Sequence, residues 1–448
     1  MELPALFIDS IREAGIDAGA LASALASDPV TAIRLNAAKP AELPEGASPV
    51  NWCERGYYLD GRPKFTLDPA LHQGRYYVQD ASSMFIATVA NRLAEMLPEG
   101  SLYLDACAAP GGKATAAIDA LPSSWGVVAN EIVPKRAAAL RENIIKWGAP
   151  NVIVTRGDTR AFAKAGEMFA IVAADVPCSG EGMMRKDPQA LAQWSPGLVE
   201  ECAERQREIL ANLWRTLLPG GYLIYSTCTF NLTENDRMVQ WIMSELGAGS
   251  VSLKLDSAAL GTHDAGLTTD AWRFMPHITR GEGLFMAVVR KPGEITSPPA
   301  SKKIRQNATP KIDPAIRKWI KGGDEMEFTV ENDRINAFPR QLSLPLRSLS
   351  RVTDIIHHGT VLCHIKGRDY IPAHQLAMSR ILAPEAFPAV EVDHATAISY
   401  LRREPVAPEA GWPRGTVLLE HNGCPLGFVK NLGNRTNSLY PAEWRILH

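Results

Sequence analysis

Two cysteines lie in loops that are rich in proline, glycine and hydroxyl side chains. Cys178 falls within residues 175–182 (DVPCSGEG) and Cys228 within residues 225–231 (YSTCTFN). A thiolate that adds to C6 of a pyrimidine makes C5 reactive toward a methyl donor, which replaces one difficult step by easier covalent ones. Both cysteines are therefore candidates for this chemistry, and the residue types alone do not rank one above the other.

The other cysteines are widely scattered, and no CxxC pair occurs among the seven. A disulfide framework, a structural zinc site or any other metal site is therefore not expected. The N-terminus lacks the features of a signal peptide and no apolar run is long enough to span a membrane, so a cytoplasmic protein is expected. The residues alone predict small buried side chains at five positions: Cys53, Cys107, Cys202, Cys363 and Cys424.

Acidic side chains recur after successive strands of the predicted fold. Residues 105–113 (DACAAPGGK) form a loop of small residues before a helix, which lets backbone N–H groups approach a ligand closely. This loop matches neither a P-loop nor the dinucleotide fingerprint. Glu131 suits a ribose diol, Asp158 an adenine amino group, and Asp175 ends the fourth strand. Asp105 is a fourth acid in the same register. One binding site for an adenosyl ligand with a cationic sulfonium explains the four acids better than four separate roles as surface charges or helix caps.

The elements that position these residues alternate between strand and helix. Such alternation over residues 101–291 indicates βαβ units and a mainly parallel sheet. Ligands of these sheets bind at the carboxyl ends of the strands, so the cysteine loops and the acids are expected on one face. The predicted strands are 101–105, 126–131, 151–155, 169–175, 222–225 and 284–289. The predicted helices are 113–121, 135–147 with Gly148 as C-cap, 198–217, and 233–246 with Thr233 as N-cap.

At these motifs the chain resembles the Nol/Nop/Sun family of RNA cytosine-C5 methyltransferases. The resemblance covers about residues 1–292 and implies an α/β fold with a Rossmann-like class I methyltransferase core. Enzymes that methylate amino groups would carry [DNS]PP[YFW] where this chain has DVPC, which argues against that reaction. The matching segments are 79–84 (QDASSM), 105–113, 131, 157–158, 175–188 (DVPCSGEGMMRKDP), 225–236 (YSTCTFNLTEND) and 276–291 (PHITRGEGLFMAVVRK).

The resemblance also implies roles for individual residues. It makes Cys228 the nucleophile, and Cys178 a thiol that assists resolution of the covalent product. It places Asp175 and Lys113 where they could also contact the target base, with Asp175 as the hypothetical partner of the cytosine N3/N4 edge. The implied contacts to S-adenosyl-L-methionine are Cys107, Ala108, Ala109, Pro110, Gly111, Gly112, Lys113, Glu131, Asp158 and Asp175.

Composition shifts divide the rest of the chain. Residues 291–309 are rich in Pro, Ser and Lys and predict a linker, and a weaker break lies at 381–389. Segments 400–404, 415–430 and 437–441 resemble the PUA-like β-barrel of a bacterial member of the family, with strands predicted at 416–420 and 427–430. Four domains are predicted. They are an N-terminal α/β RNA-binding extension (1–95), a methyltransferase core (96–292), a middle RNA-binding domain (310–385) and a PUA-like RNA-binding domain (388–448).

The resemblance makes 16S rRNA, free or in the assembled small subunit, the expected partner of a monomeric enzyme. The formal net charge of the chain is −2, but residues 301–448 contain 20 Lys and Arg against 15 Asp and Glu. A polyanionic partner would explain this local excess of positive charge, and chance variation explains it equally well. The alternatives are the same reaction on tRNA and a non-catalytic RNA-binding assembly factor, and the intact cysteine pair argues against the latter. A strand is expected at 31–36, with Arg34 and Asn36 either approaching RNA or serving as polar residues of the strand surface.

Overall fold

The computed structural model describes residues 3–255, 263–264, 267–295, 310 and 312–447. The predicted linker at 291–309 therefore lies outside the described residues, except for 291–295. No helix in the described ranges is long and apolar enough to cross a bilayer.

The N-terminal part is a small mixed unit, and its four-stranded sheet has the order β2-β3-β1-β4. The strand expected at 31–36 is confirmed as β1, which pairs with β3 and β4 in antiparallel fashion. Its helices are α1 (Ala5–Glu13), α2 (Ala18–Leu25), α3 (Pro69–His72) and α4 (Phe85–Ala94). Its strands are β1 (Ala32–Leu35), β2 (Ser48–Val50), β3 (Cys53–Tyr58) and β4 (Tyr76–Val78).

The central part alternates strands and helices as predicted, and its parallel strands lie in the order β9-β8-β5-β6-β7. This order, with a switch point beside β5, confirms the α/β Rossmann-like fold class. The strands are β5 (Leu102–Asp105), β6 (Gly126–Asn130), β7 (Val152–Arg156), β8 (Phe169–Asp175), β9 (Leu217–Thr227), β10 (His263–Asp264), β11 (Ala271–Phe274) and β12 (Leu284–Arg290). The helices are α5 (Gly112–Ala120), α6 (Pro134–Trp147), α7 (Thr159–Ala163), α8 (Pro188–Gln193), α9 (Pro196–Trp214) and α10 (Asp236–Glu245).

The C-terminal part contributes two more four-stranded sheets, of order β13-β14-β16-β17 and β18-β19-β20-β21. The strands predicted at 416–420 and 427–430 are confirmed within β19 and β20. The strands are β13 (Met326–Glu331), β14 (Arg334–Pro339), β15 (Asp354–His358), β16 (Thr360–Lys366), β17 (Asp369–Pro372), β18 (Ala389–Glu391), β19 (Gly415–His421), β20 (Cys424–Asn431) and β21 (Thr436–Ser438). The helices are α11 (Pro314–Arg317), α12 (Ser343–Leu349), α13 (His374–Met378) and α14 (His394–Leu401).

One strand crosses between these parts in a way that the sequence pattern does not predict. β15 leaves the C-terminal part and pairs with β7 in antiparallel fashion, so it extends the central sheet beyond the parallel strands. The central sheet therefore has antiparallel strands at both edges, β12, β11 and β10 at one and β15 at the other.

Two predicted helix boundaries are wrong. The helix predicted to end at residue 217 ends at Trp214, because Leu217 already pairs with Phe169 in the sheet. The helix predicted to begin with Thr233 as N-cap begins at Asp236, after Asn235. The predicted C-cap Gly148 is confirmed, with a left-handed φ of 84° that a glycine adopts without strain.

The hypothesis that Arg34 and Asn36 approach RNA is wrong, and so is their placement as surface residues. Arg34 is 2% exposed and Asn36 is 1% exposed. Arg34 donates hydrogen bonds to Gln79, Thr115 and Asp119, and Asn36 donates to the carbonyls of Gly74 and Trp147. Both side chains are therefore used to join the N-terminal unit to the central part.

Candidate active site

The two candidate cysteines meet at the carboxyl ends of the neighbouring strands β8 and β9. Their Sγ atoms lie 3.2 Å apart, and both side chains are partly exposed. The two loops also meet through their backbones, because the N–H of Gly182 donates to the carbonyl of Cys228 over 2.7 Å. A Cβ at residue 182 would lie 2.8 Å from the same carbonyl oxygen, so glycine permits this approach. The structure thus brings together two residues 50 positions apart in the chain.

The side chain of Glu181 fastens the first cysteine loop to the second. It is fully buried, and its Oε2 accepts hydrogen bonds from the backbone N–H groups of Phe230 and Asn231, at 2.6 and 3.0 Å. The same oxygen accepts from Thr229 Oγ1, and Oε1 accepts from Trp194 Nε1 and Asn231 Nδ2. A buried carboxylate without a cation beside it needs such a complete set of donors.

Glu234 makes the reverse connection, from the second cysteine loop to the backbone of the first. This residue follows Cys228 in the chain, yet its Oε1 accepts from the backbone N–H of Ser179, at 2.9 Å, and from Gln206 Nε2. Burial raises the pKa of the Glu234 carboxyl, and hydrogen bonds from Ser179 and Asn231 oppose that rise. Sequence reasoning gave neither glutamate a role, although both stand within the motifs that carry the two cysteines.

A lysine–aspartate pair lies beside the thiols. Lys113 Nζ is 2.8 Å from Asp175 Oδ2, and Ser226 Oγ donates to Asp175 Oδ1 over 2.9 Å. Burial lowers the pKa of Lys113, but Asp175 and, more weakly, Cys228 raise it, and the net pKa lies above the ordinary value. Lys113 therefore keeps its proton and places a positive charge next to the site of Cys228.

The thiol of Cys178 is unlike an ordinary surface cysteine. Its pKa is raised well above the usual range, chiefly by the hydrogen bond to the neighbouring Cys228 sulfur and then by burial. At neutral pH the Cys178 thiol therefore holds its proton. Cys107, in the loop after β5, is also held protonated, because burial followed by the charges of Asp105 and Asp175 raises its pKa.

The small-residue loop after β5 folds over the carboxyl ends of the sheet. Gly111 has a φ of 118°, a conformation that side-chain-bearing residues rarely adopt. The loop is held by Ala108 N donating to Asn130 O over 2.8 Å and by Asn143 Nδ2 donating to Pro110 O over 2.8 Å. Asn130 Nδ2 also donates to the carbonyls of Ala106 and Gly157, so one amide ties together the loops after β5, β6 and β7.

Two acids in this region are buried without complete hydrogen bonding. Asp105 is 1% exposed, and neither of its carboxylate oxygens has a partner in normal hydrogen-bond geometry, although the backbone N–H of Cys107 lies near enough to lower its pKa. Burial, with the charge of Asp175 next, raises its pKa to about 7. Glu131 Oε1 accepts from Val133 N, whereas Oε2 accepts no hydrogen bond and has the Arg136 guanidinium 3.4 Å away. Buried acceptors of this kind fit a ligand that carries an ammonium group and a ribose diol.

Asp158 stands apart from this group. It caps α7 by accepting from the backbone N–H of Arg160, and its side chain pairs with the Arg160 guanidinium at 2.7 Å. The Arg160 hydrogen bond is the main reason why the pKa of Asp158 is lowered. Asp105 is not among the contacts that the family resemblance implies, although its place at the end of β5 puts it with the acids that favour an adenosyl ligand.

Comparison with known families divides the chain into three matching segments. Residues 94–290 match the family described as 16S rRNA methyltransferase RsmB/F. Residues 3–81 match the N-terminal domain of 16S rRNA methyltransferase RsmF, and residues 387–446 match the methyltransferase RsmF PUA domain. The C-terminal sheet β18–β21 lies within this last segment.

Curated relatives match along most of their length. Ribosomal RNA small subunit methyltransferase F of Klebsiella pneumoniae (strain 342) is 32% identical over 412 residues, covering 88% of this chain and 84% of the relative. The protein of the same name from Escherichia coli (strain K12) is 31% identical over 425 residues, with the same coverage.

Solved structures share the fold. NSun6 from Pyrococcus horikoshii aligns with a TM-score of 0.53 at 20% identity, over 65% of this chain and 99% of that one. A methyltransferase homolog protein from Pyrococcus horikoshii aligns with a TM-score of 0.51 at 22% identity, over 64% of this chain and 100% of that one.

Proposed function

Because this chain belongs to the RsmF family of ribosomal RNA small subunit methyltransferases, we propose that it methylates C5 of a cytosine in small-subunit rRNA. The observation that carries the proposed chemistry is the pair of thiols, 3.2 Å apart, beside the Lys113–Asp175 ion pair. A scaffold for RNA would need neither two adjacent thiols nor a charge poised next to them. C5 of a pyrimidine, by contrast, requires a covalent nucleophile before it can react with a methyl donor.

In this proposal Cys228 is the nucleophile. Its thiolate adds to C6 of the cytosine and forms a C–S bond, which shifts the electron pair of the C5–C6 double bond toward N3 and makes C5 nucleophilic. The Lys113 ammonium supplies a positive charge near the attacking sulfur. Asp175 holds that ammonium at 2.8 Å and is the candidate partner for the N3/N4 edge of the base.

Cys178 is proposed to act after methylation. Its pKa is raised chiefly by the neighbouring Cys228 sulfur. Its sulfur lies 3.2 Å from that of Cys228, so it stands beside the C–S bond of the adduct. From there it can assist resolution of the covalent product, in which the C5 proton is removed, the C–S bond breaks and the Cys228 thiolate leaves.

S-adenosyl-L-methionine is the proposed cofactor, and it would supply the methyl group as an electrophile. The residues that would hold it are the loop 107–113, Glu131 at the ribose and Asp105 at the ammonium group. The fit rests on the buried carboxylate oxygens of Asp105 and Glu131 that have no partner in normal hydrogen-bond geometry. Asp158, predicted to meet the adenine, would first have to give up part of its contact with Arg160.

Methyl transfer with cysteine variants tests the reaction and the roles of the thiols. Wild type, Cys228→Ala, Cys178→Ala and the control Cys53→Ala would be incubated with labelled S-adenosylmethionine and 16S rRNA, free or in small subunits. We expect 5-methylcytidine from wild type and from Cys53→Ala, whose thiol is buried in β3 away from the site. Cys228→Ala should lose at least about a thousandfold in rate, since no covalent step remains.

Cys178→Ala should instead accumulate a protein–RNA adduct that survives denaturing electrophoresis. Full activity of Cys228→Ala would contradict its role as nucleophile. Label at a position other than C5 would overturn the proposed chemistry, and label in tRNA but not in 16S rRNA would overturn the proposed substrate.

A further inference from the structure

A polar cleft lies away from the thiols, between the C-terminal part and the edge of the central sheet. It measures about 960 Å³, and its walls are the outer face of β13 and β14 on one side and α12 with β15 on the other. Arg141 of α6 also lines it. None of the cysteines or acids described for the active site lines it.

Five arginines line this cleft, and among the described residues none of them forms a salt bridge. The contacts of Arg317 and Arg340 are to neutral groups: Arg317 lies over the Phe328 ring at 4.4 Å, and Arg340 donates to the Asp324 carbonyl. Three acids, Asp324, Glu327 and Glu331, lie in the same lining, so the cleft has an excess of positive charge. Unpaired guanidinium groups are typical of a surface that receives phosphate or carboxylate. The five arginines are Arg141, Arg317, Arg334, Arg340 and Arg347.

The lining also contains polar atoms that are buried and accept or donate no hydrogen bond: Thr329 Oγ1, Asn336 Oδ1, Ser343 Oγ and His358 Nε2. Thr329 and Asn336 face each other across the β13–β14 ladder, and Asn336 is 8% exposed. His358 packs edge-on against Phe338 from the opposite wall. Buried polar atoms usually have partners, so this concentration indicates a ligand that supplies both donors and acceptors.

We propose that the cleft between β13–β14 and α12–β15 binds a nucleotide of the substrate RNA other than the target cytosine. This inference rests on the proposed RNA substrate. Arginine side chains position a nucleic acid through its phosphates, while mixed donors and acceptors contact the edge of an unpaired base.

The position of the cleft gives such binding a consequence for catalysis. β15 forms one wall and is also hydrogen-bonded to β7 of the sheet that carries the active site. RNA held in the cleft is therefore fixed with respect to the thiols by a continuous sheet. The cleft thus acts as a second anchor that selects RNA with an unpaired nucleotide at a set distance from the target.

Two variants in the cleft test the proposal, with Arg368→Ala as the control. Arg334→Ala removes an exposed charge, Thr329→Val removes a hydroxyl at constant shape, and Arg368 is an exposed arginine of the β16–β17 turn outside the cleft. Affinity for a 16S rRNA transcript would be measured at several salt concentrations, with kcat and KM for methylation. A transcript containing 4-thiouridine would be photocrosslinked to the wild-type chain and the attached peptides mapped.

We expect Arg334→Ala to weaken RNA binding about tenfold, because one phosphate contact is lost. The slope of the logarithm of the binding constant against the logarithm of the salt concentration should become shallower by about one. Thr329→Val should weaken binding by a smaller factor without changing the slope. Both should raise KM and leave kcat unchanged, and crosslinks should fall within residues 326–358. Arg368→Ala should match wild type.

The proposal is overturned if both cleft variants bind and crosslink like Arg368→Ala, or if crosslinks avoid the cleft. Crosslinks from the cleft to a protein of the small subunit, in place of RNA, would also overturn it and identify a protein-docking surface. Loss of 5-methylcytidine formation with crosslinks still in the cleft would refute the proposed reaction alone. Normal methylation without cleft crosslinks would refute the cleft alone.

Discussion

At the scale of single residues, the site combines groups whose charges depend on one another. The Cys178 thiol lies 3.2 Å from the Cys228 sulfur, and Asp175 and Cys228 both raise the pKa of Lys113. Replacing Asp175 should therefore lower the pKa of Lys113. The roles proposed for these residues are therefore best tested by measurements that report protonation as well as rate.

Asp105 should couple cofactor affinity to pH. Its pKa in the free protein is raised to about 7 by burial, and a cationic ligand would favour the ionised form. Affinity for S-adenosylmethionine should therefore rise as pH increases toward 7 and level off above it. Asp105→Asn should bind more weakly, and its affinity should not change across that range. Calorimetric titration at pH values on both sides of 7 measures this.

The same group affects the stability of the free protein with a defined sign. Because the folded pKa lies above the unfolded value of 3.8, the folded state keeps a proton that the unfolded state loses, and stability falls as pH rises from about 4 to about 7. Asp105→Asn should remove this loss, whereas the exposed Asp60→Asn should not. A cofactor affinity that falls with rising pH in wild type would contradict the assignment.

At the scale of elements, the active site is built from two loops that neither strand could hold alone. Glu181 and Glu234 each reach from one loop to the backbone of the other, and both are fully buried. This network also explains the late start of α10. Asn231, Glu234 and Asn235 use their side chains to hold the cysteine loops, so the chain turns into a helix only at Asp236.

Glu181→Gln should lower kcat by about tenfold or more, because its amide would bring a donor into a place where every partner is a donor. The free energy of unfolding should fall as well, by about 1–3 kcal/mol. Affinity for S-adenosylmethionine should change little, since the loop 107–113 is held separately. Steady-state kinetics, cofactor titration and urea unfolding give the three readouts.

Glu201→Gln is the matched control, because Glu201 is an exposed residue of α9 that pairs only with Arg205 among the described residues. We expect it to match wild type in all three measurements. If cofactor affinity and kcat fall by similar factors in Glu181→Gln, then Glu181 does not act on the cysteine loops in particular. It would instead support the whole edge of the sheet.

At the scale of the whole molecule, one carboxylate joins three parts of the chain. Asp119 of α5 accepts from Arg34 of the N-terminal unit at 3.1 Å and from Arg380 of the C-terminal part at 2.6 Å. It also accepts from Trp147 Nε1 of α6. Nearby, Gln73 Nε2 donates to the carbonyls of His421 and Cys424, which fixes the C-terminal sheet β18–β21 against the N-terminal unit.

Asp119→Ala should destabilise the protein by about 3 kcal/mol or more, because it leaves the buried Arg34 guanidinium without its counter-charge. Asp9→Ala breaks an exposed ion pair with Arg12 and should cost less than about 1 kcal/mol. Urea unfolding followed by tryptophan fluorescence compares the two. Equal costs would show that Asp119 does not hold the three parts together.

The sequence by itself determined the local structure and the chemistry of the loops. Alternating apolar runs gave the strands and helices of the sheet, and Gly148 gave the end of α6. The motifs around Cys178 and Cys228 pointed to one edge of that sheet, because parallel strands end together. These features depend on neighbours within a few residues, which is why a pattern along the chain contains them.

Only the tertiary structure decided which distant groups meet and which are buried. Arg34 looked like a surface cation, but burial against Asp119, 85 residues away, makes it a structural residue. The pairing of β15 with β7 joins residues about 200 positions apart, and the unpaired arginines of the cleft come from α6, α11, β14, the turn after β14 and α12. Charge, burial and hydrogen bonding at such positions depend on partners that no local pattern specifies.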